Sequence, residues 1–216
     1  MYGYEGLGCI YWHMVSKLLL ATQESYFRAV ESAAPDTEVA ALASAYYRVR
    51  SGLSSGKTAR EYGAFPTDPY SHTPSHRGAQ QPGMTGQVKE EILTRLGELG
   101  VRIAAGQIAF RPTLLRRNEF LTERAAWSYV DPAGVRQALA LPAGSLVFTY
   151  AQVPVVYTLT DAAATTVTLT GADGTRRLVA GDRLDAATSA ALFGRDGTVQ
   201  RIDVAVPQGL LLDLAD

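Results

Sequence analysis

The sequence predicts an α+β fold, with a helical segment over residues 1–100 and an antiparallel β-sandwich over residues 101–216. Up to Gly100, apolar residues recur every three or four positions, as on one face of a helix. Beyond Gly100 they alternate with polar residues, as in half-buried strands. The second half also contains many short apolar runs separated by turns such as DPAG and GADG, a pattern typical of a sandwich.

The first two helices are predicted to form an antiparallel hairpin. The first spans about Gly8–Ser32 and ends at Pro35, because proline cannot continue the hydrogen-bond ladder of a helix. Either Asp36 or Thr37 then caps the second helix. The short connection between the two helices makes them neighbours in the fold.

The first helix is apolar over most of its circumference, so it needs packing neighbours on several sides. We therefore expect this chain to be a piece of something larger, or to associate with another chain. The spacing predicts one apolar face that is widened by a second row of residues. The first row is Leu7, Ile10, Met14, Leu18, Ala21 and Ser25, and the second is Tyr11, Val15, Leu19, Thr22 and Tyr26.

A third helix is predicted over Thr85–Leu99, with Val88, Ile92, Leu96 and Leu99 facing inward. Gly100 follows at the position of a C-terminal cap. Another short helix is predicted at Asp185–Phe193, and Ala105–Gly106 forms a two-residue hairpin turn. The predicted strands are Val101–Ala104, Gln107–Phe110, Ala126–Val130, Arg136–Leu141, Leu146–Gln152, Val155–Leu159, Thr166–Thr170, Arg176–Val179 and Val199–Val206.

Composition argues against several classes of partner. The formal net charge is −1, which gives no support for nucleic-acid binding. A single cysteine, Cys9, excludes an internal disulfide and any zinc site made of several cysteines. No run reaches the roughly 18 apolar residues of a membrane span. We expect a cytoplasmic protein without a metal, a nucleic-acid partner or a membrane partner, although an export signal could lie upstream.

The most informative segment is Glu61–Ile92, in which a polar, proline-rich loop leads directly into the third helix. The free N–H groups at a helix start attract anions and hydroxyl groups. With Thr85 as the N-cap, the amides of Gly86, Gln87 and Val88 would form a cradle for a phosphate or for sugar hydroxyls. The alternative is that Thr85 only caps the helix, a common role for threonine.

Two of the three histidines lie in the same loop, in the pattern Asp68, His72, His76. On a helix this spacing would place all three side chains on one face and could hold a metal. Three prolines, Pro66, Pro69 and Pro74, argue against a helix here. We therefore interpret the histidines as hydrogen-bonding groups for a substrate or for a loop carbonyl.

Three short motifs occur in a recognisable order: MTGQV at Met84–Val88, ELGVRI at Glu98–Ile103 and IAFRPTLL at Ile108–Leu115. Together with the preceding helical hairpin and loop, they resemble the C-terminal end of (α/α)6-barrel glycoside hydrolases and phosphorylases, especially the cellobiose phosphorylase type. The resemblance implies that the helices are the last of an (α/α)6 toroid. It also implies that Thr85 and Gly86 help to hold inorganic phosphate as a co-substrate, with no other cofactor.

The resemblance also makes the carboxylates of the loop relevant. Cleavage of a glycosidic bond needs an acid and a base or nucleophile on opposite sides of the bond, whereas phosphorolysis needs only the acid because phosphate attacks. The dipeptide Glu61–Tyr62 matches, in type and place, one that contains a catalytic carboxylate in trehalase-like barrels. The alternative is that Glu61 orders the loop or lies on the surface. The general acid of the phosphorylase family lies on an earlier segment.

We therefore expect the C-terminal portion of a carbohydrate-active enzyme that is inactive alone and acts on an oligosaccharide or glycoside. A second hypothesis is a non-catalytic carbohydrate-binding or assembly module, and a third is a stand-alone hydrolase. Under the first, Glu61 is catalytic and the residues lining the sugar or phosphate subsite are Asp68, His72, His76, Gln81, Thr85 and Gly86.

Overall fold

A computed structural model describes the backbone of residues 7–53 and 88–213, and the side chains of residues 14–53 and 89–213. The chain divides into two compact units, Met1–Leu96 and Gly97–Asp216. The first is helical and the second is rich in strands, which confirms the α+β class. We call them the helical unit and the β unit.

Three helices are described up to the end of the helical unit: α1 at Leu7–Glu31, α2 at Asp36–Arg50 and α3 at Val88–Glu98. The cap of α2 differs from the prediction. Pro35 occupies the N-cap position, and its carbonyl accepts hydrogen bonds from the amides of Glu38 and Val39. Asp36 instead lies in the first turn, where a negative charge is favoured by the helix dipole.

The β unit contains nine strands and the helix α4 at Ala186–Gly194. The carboxylate of Asp185 caps α4 by accepting a hydrogen bond from the amide of Thr188. All predicted strands are confirmed, with ends within two residues of the prediction. They are β1 Val101–Ala104, β2 Gln107–Phe110, β3 Ala125–Val130, β4 Arg136–Leu141, β5 Ser145–Tyr150, β6 Val153–Thr160, β7 Thr166–Gly171, β8 Arg176–Val179 and β9 Val199–Pro207.

The strands form three sheets. Two are the antiparallel hairpins β1–β2 and β3–β4, and the third has five strands in the order β5-β6-β9-β7-β8. The pair β6–β9 is parallel, with Val155 opposite Ile202, so the large sheet is mixed where antiparallel pairing was predicted throughout. Strand β9 inserts between β6 and β7, which lets three apolar strands share the buried centre of the sheet. The two-layer sandwich stays a prediction.

Tyr157 lies at the centre of the β-unit core. Its side chain is fully buried and makes edge-to-face contacts with Phe110 and Phe148, at ring-centroid distances of 6.3 and 5.3 Å. Its hydroxyl donates a hydrogen bond of 2.5 Å to the carbonyl oxygen of Leu99. Burial raises the pKa of the Tyr157 phenol, so the group stays neutral and remains a donor.

Gly100 ends the third helix as predicted, and it also leaves room for a neighbouring backbone segment. Its φ is +74°, in the left-handed region that favours glycine. A β-carbon at this position would lie 2.2 Å from the carbonyl carbon of Arg111, because the backbone after β2 passes directly over it. The Arg111 amide donates to the Gly100 carbonyl at 2.8 Å, which holds the two segments together.

Replacing Tyr157 with phenylalanine should lower the free energy of unfolding by about 1–3 kcal/mol, because the carbonyl of Leu99 loses its buried donor. Chemical denaturation monitored by circular dichroism would measure the change. Tyr150→Phe is the matched control, since the Tyr150 side chain is only half-buried. Equal effects of the two substitutions would contradict the importance of the Leu99 contact.

The two glycines of this region separate backbone strain from close packing. Gly100 and Gly106 have φ values of +74° and +73°, but a β-carbon at Gly106 meets nothing within 4 Å. Gly106→Ala should therefore cost only the strain, about 1 kcal/mol. Gly100→Ala should cost about 3 kcal/mol or more, because the backbone of Arg111 must move. Similar melting temperatures for the two variants would show that the close approach is unimportant.

Candidate functional site

The residues that the sequence nominates for a site lie outside the described residues, in the segment 54–87. The structure therefore describes the helix that follows this segment and the helices that contact it within the helical unit. The nominated residues are Glu61, Asp68, His72, His76, Gln81, Thr85 and Gly86.

The buried face of α1 agrees only in part with the predicted one. Met14 and Leu18 are 65% and 55% exposed, whereas Leu19 and Tyr26 are buried as predicted. The polar residues Ser16 and Gln23, which were not predicted to face inward, are also buried. Because α1 is apolar on most sides, helical periodicity allowed several faces, and the face carrying Gln23 is the one that meets the neighbouring helices.

The helix α3 likewise buries polar side chains and exposes apolar ones. Ile92, predicted to face inward, is 56% exposed, and Leu93 is also exposed. Glu90 and Thr94, one turn apart, are only 2% and 1% exposed. Leu99, just beyond the helix, is buried as predicted. The interior of the helical unit therefore contains several polar side chains, whereas part of its outer surface is apolar.

Gln23 is at the centre of this polar interior. Its side-chain amide donates to the carbonyl oxygen of Thr94 on α3 at 2.7 Å and to the hydroxyl of Tyr46 on α2 at 3.3 Å. Tyr46 is fully buried. One glutamine thus connects the three described helices of this unit, and its hydrogen bonds satisfy polar groups whose burial would otherwise be unfavourable.

The second polar contact involves Glu90. Its carboxylate lies 3.7 Å from the ammonium group of Lys17 on α1 and 3.5 Å from that of Lys89. Both lysines are largely exposed, so Glu90 is the buried member of the group. Two cations compensate part of the cost of removing this carboxylate from water.

These contacts also show the directions of the helices. Lys17 of α1 contacts Glu90 of α3. Gln23, six residues further along α1, contacts Thr94, which is four residues further along α3. Both contacts advance towards the C-terminus of each helix, so α1 and α3 point in the same general direction. The helix α2, joined to α1 by a short turn, runs antiparallel to α1.

Sequence reasoning missed Gln23, Tyr46 and Glu90 as partners in a polar cluster. A polar residue within an amphipathic pattern is normally assigned to the exposed face, and that rule failed here. The spacing of four residues between Glu90 and Thr94 was the available signal, since it places them on the same face of a helix.

No known protein family matches this sequence, and no curated protein is significantly similar to it. Within the part of the chain that the structure describes, no helix is long and apolar enough to cross a membrane. In the same described ranges, no group of three or more His, Cys, Asp and Glu side chains is arranged to hold a metal ion. The family resemblance therefore depends on the short motifs and on the order of the elements.

The polar interior makes a prediction that a double-mutant cycle can test. Gln23→Met keeps the volume but removes both hydrogen bonds, so it should lower the free energy of unfolding by about 1 kcal/mol. In a Tyr46→Phe background the loss should be smaller, because one partner is already absent. Far-UV circular dichroism during denaturation would measure all four proteins. If the two substitutions changed the free energy of unfolding by strictly additive amounts, the Gln23–Tyr46 contact would be contradicted.

Proposed function

We propose that this chain is the C-terminal portion of a carbohydrate-active enzyme of the (α/α)6-barrel type, which cleaves or phosphorolyses glycosidic bonds. The observation that carries the proposal is the parallel arrangement of α1 and α3, with α2 antiparallel to α1, ahead of a β unit. In a toroid of helical hairpins, alternate helices run in the same direction because each hairpin contributes one helix to each of two layers. The proposed architecture is the last helices of such a toroid followed by a β-sandwich.

The chemistry of the proposal lies in the segment before α3. Glu61 supplies one carboxylate of the reaction, and its partner acid comes from an earlier part of the barrel. In this proposal the hydroxyl of Thr85 and the amide of Gly86, which precede α3 in the sequence, bind an anion or sugar hydroxyls, because a helix start favours such groups. A water molecule or inorganic phosphate then attacks the sugar on the side opposite the leaving group.

The helical unit exposes apolar side chains and buries polar ones, which suits helices that have packing neighbours on two sides. A small isolated bundle gains stability by burying its apolar residues, yet Met14, Leu18, Ile92 and Leu93 are exposed while Gln23 and Glu90 are buried. A layer of a larger toroid would cover such outer residues with further helices. The same observation favours our second candidate, a non-catalytic carbohydrate-binding or assembly module that uses this surface as its interface.

An activity assay tests the enzyme proposal. The chain is expressed together with the coding sequence upstream of it, and sugar release from glycosides is measured with and without inorganic phosphate. Glu61→Gln should lower kcat by about 10²–10⁴-fold, because the carboxylate can no longer transfer a proton or attack. Glu38→Gln, which changes an exposed carboxylate on α2, is the matched control and should leave kcat unchanged.

Thr85→Ala distinguishes the two reactions. If phosphate is the nucleophile, this variant should raise the KM for phosphate more than the KM for the glycoside. If water is the nucleophile, adding phosphate should not change the rate. Full activity of both Glu61→Gln and Thr85→Ala would remove the site assignment. Oligosaccharide binding without turnover in the parent protein would favour the non-catalytic module.

A further inference from the structure

A surface cavity of about 780 Å³, wide open to solvent, lies in the β unit where the chain leaves four of its strands. Its walls come from the residues that follow β2, β6, β8 and β9. The parallel strands β6 and β9 end on the same side of the sheet. Strand β7 begins on that side, and β8, which is antiparallel to β7, ends there. The polar and apolar side chains that define the cavity best are Arg111, Thr113, Asp161, Thr165, Asp182 and Leu210.

One wall is a charged pair fixed by backbone pairing. The amide of Phe110 donates to the carbonyl of Asp182 at 2.9 Å, and the amide of Leu184 donates to the carbonyl of Ile108 at 2.8 Å. The segment from Asp182 to Leu184 therefore runs along β2. Consequently Nε of Arg111 lies 2.5 Å from Oδ2 of Asp182, and Nη2 lies 3.4 Å from Oδ1.

Another wall presents the carboxylate of Asp161. Its Oδ1 accepts a hydrogen bond of 2.7 Å from the side-chain amide of Gln208, which orients the group. Among the described residues, the second oxygen of Asp161 has no hydrogen-bond partner. Several other lining residues, including Ala162, Ala163 and Gly209, are small and leave the space open.

The lining has the donors and acceptors that vicinal hydroxyl groups require. Its carboxylates accept hydrogen bonds, whereas the guanidinium of Arg111 donates them and the threonine hydroxyls do both. One arginine against two aspartates disfavours an anion. We propose that this cavity binds a neutral polyhydroxylated ligand of the size of a mono- or disaccharide. The volume of this open cavity is large enough for a ligand of that size.

This second site uses none of the residues of the proposed enzyme reaction, and it does not depend on that reaction. The described lining contains no aromatic ring on which a sugar could stack. Binding therefore depends on hydrogen bonds that compete with water, and we expect a Kd of about 1 mM or weaker.

Titration of the isotopically labelled chain with D-glucose and with cellobiose, followed by amide NMR, tests the proposal. At least one sugar should produce saturable shifts confined to residues 111, 113, 161–165, 181–182 and 208–210. Asp161→Ala should weaken binding at least about fivefold, because an oriented acceptor is lost. Glu123→Ala removes an exposed carboxylate that does not line the cavity, so it should leave the Kd unchanged.

A steric variant provides a second, charge-independent test. Ala163 is an exposed residue of the lining, so Ala163→Trp should fill the cavity and abolish the shifts without changing the melting temperature. Glu61→Gln should bind sugar here as the parent chain does, which separates this site from the enzyme site. No saturable shifts with either sugar would overturn the proposal. Stronger shifts with methylammonium or inorganic phosphate would also overturn it, because they identify a charged ligand.

Discussion

The buried hydroxyl of Tyr157 is the constraint on which the β unit depends. The ring lies in the core against Phe110 and Phe148, where the phenol is out of contact with water. A donor in this position needs an acceptor, and the carbonyl of Leu99 provides it. The residues that follow Leu99 form the hairpin β1–β2, so this bond holds the start of the β unit against the centre of its sheet.

The same hairpin connects the core to the proposed sugar-binding cavity. Gly100 allows the backbone at Arg111 to pass closely over it, which sets the path of the chain beyond β2. Strand β2 then pairs with the segment from Asp182 to Leu184, which places Asp182 beside Arg111. The geometry of that charged wall is therefore a consequence of core packing and does not depend on a flexible loop.

The helical unit is organised by a different principle. Gln23 and Glu90 are buried and contact polar partners, and several large apolar side chains face outward. Buried polar contacts contribute less net stability than apolar packing, but they favour one arrangement of the helices over others. The toroid that we propose would cover the exposed apolar residues with further helices.

The sequence by itself determined the elements, because their signals are local. The change of period at Gly100, the Ala105–Gly106 turn and the alternation of the strands depend on neighbouring residues, and the structure confirms them. The candidate enzyme site, from Glu61 to Gly86, also comes from the sequence alone. Tertiary structure decided the parallel pairing of β6 with β9, the pairing of Arg111 with Asp182 across 71 positions, and the buried face of α1. Periodicity shows which residues share a face, but only the packing of distant segments determines which face is covered.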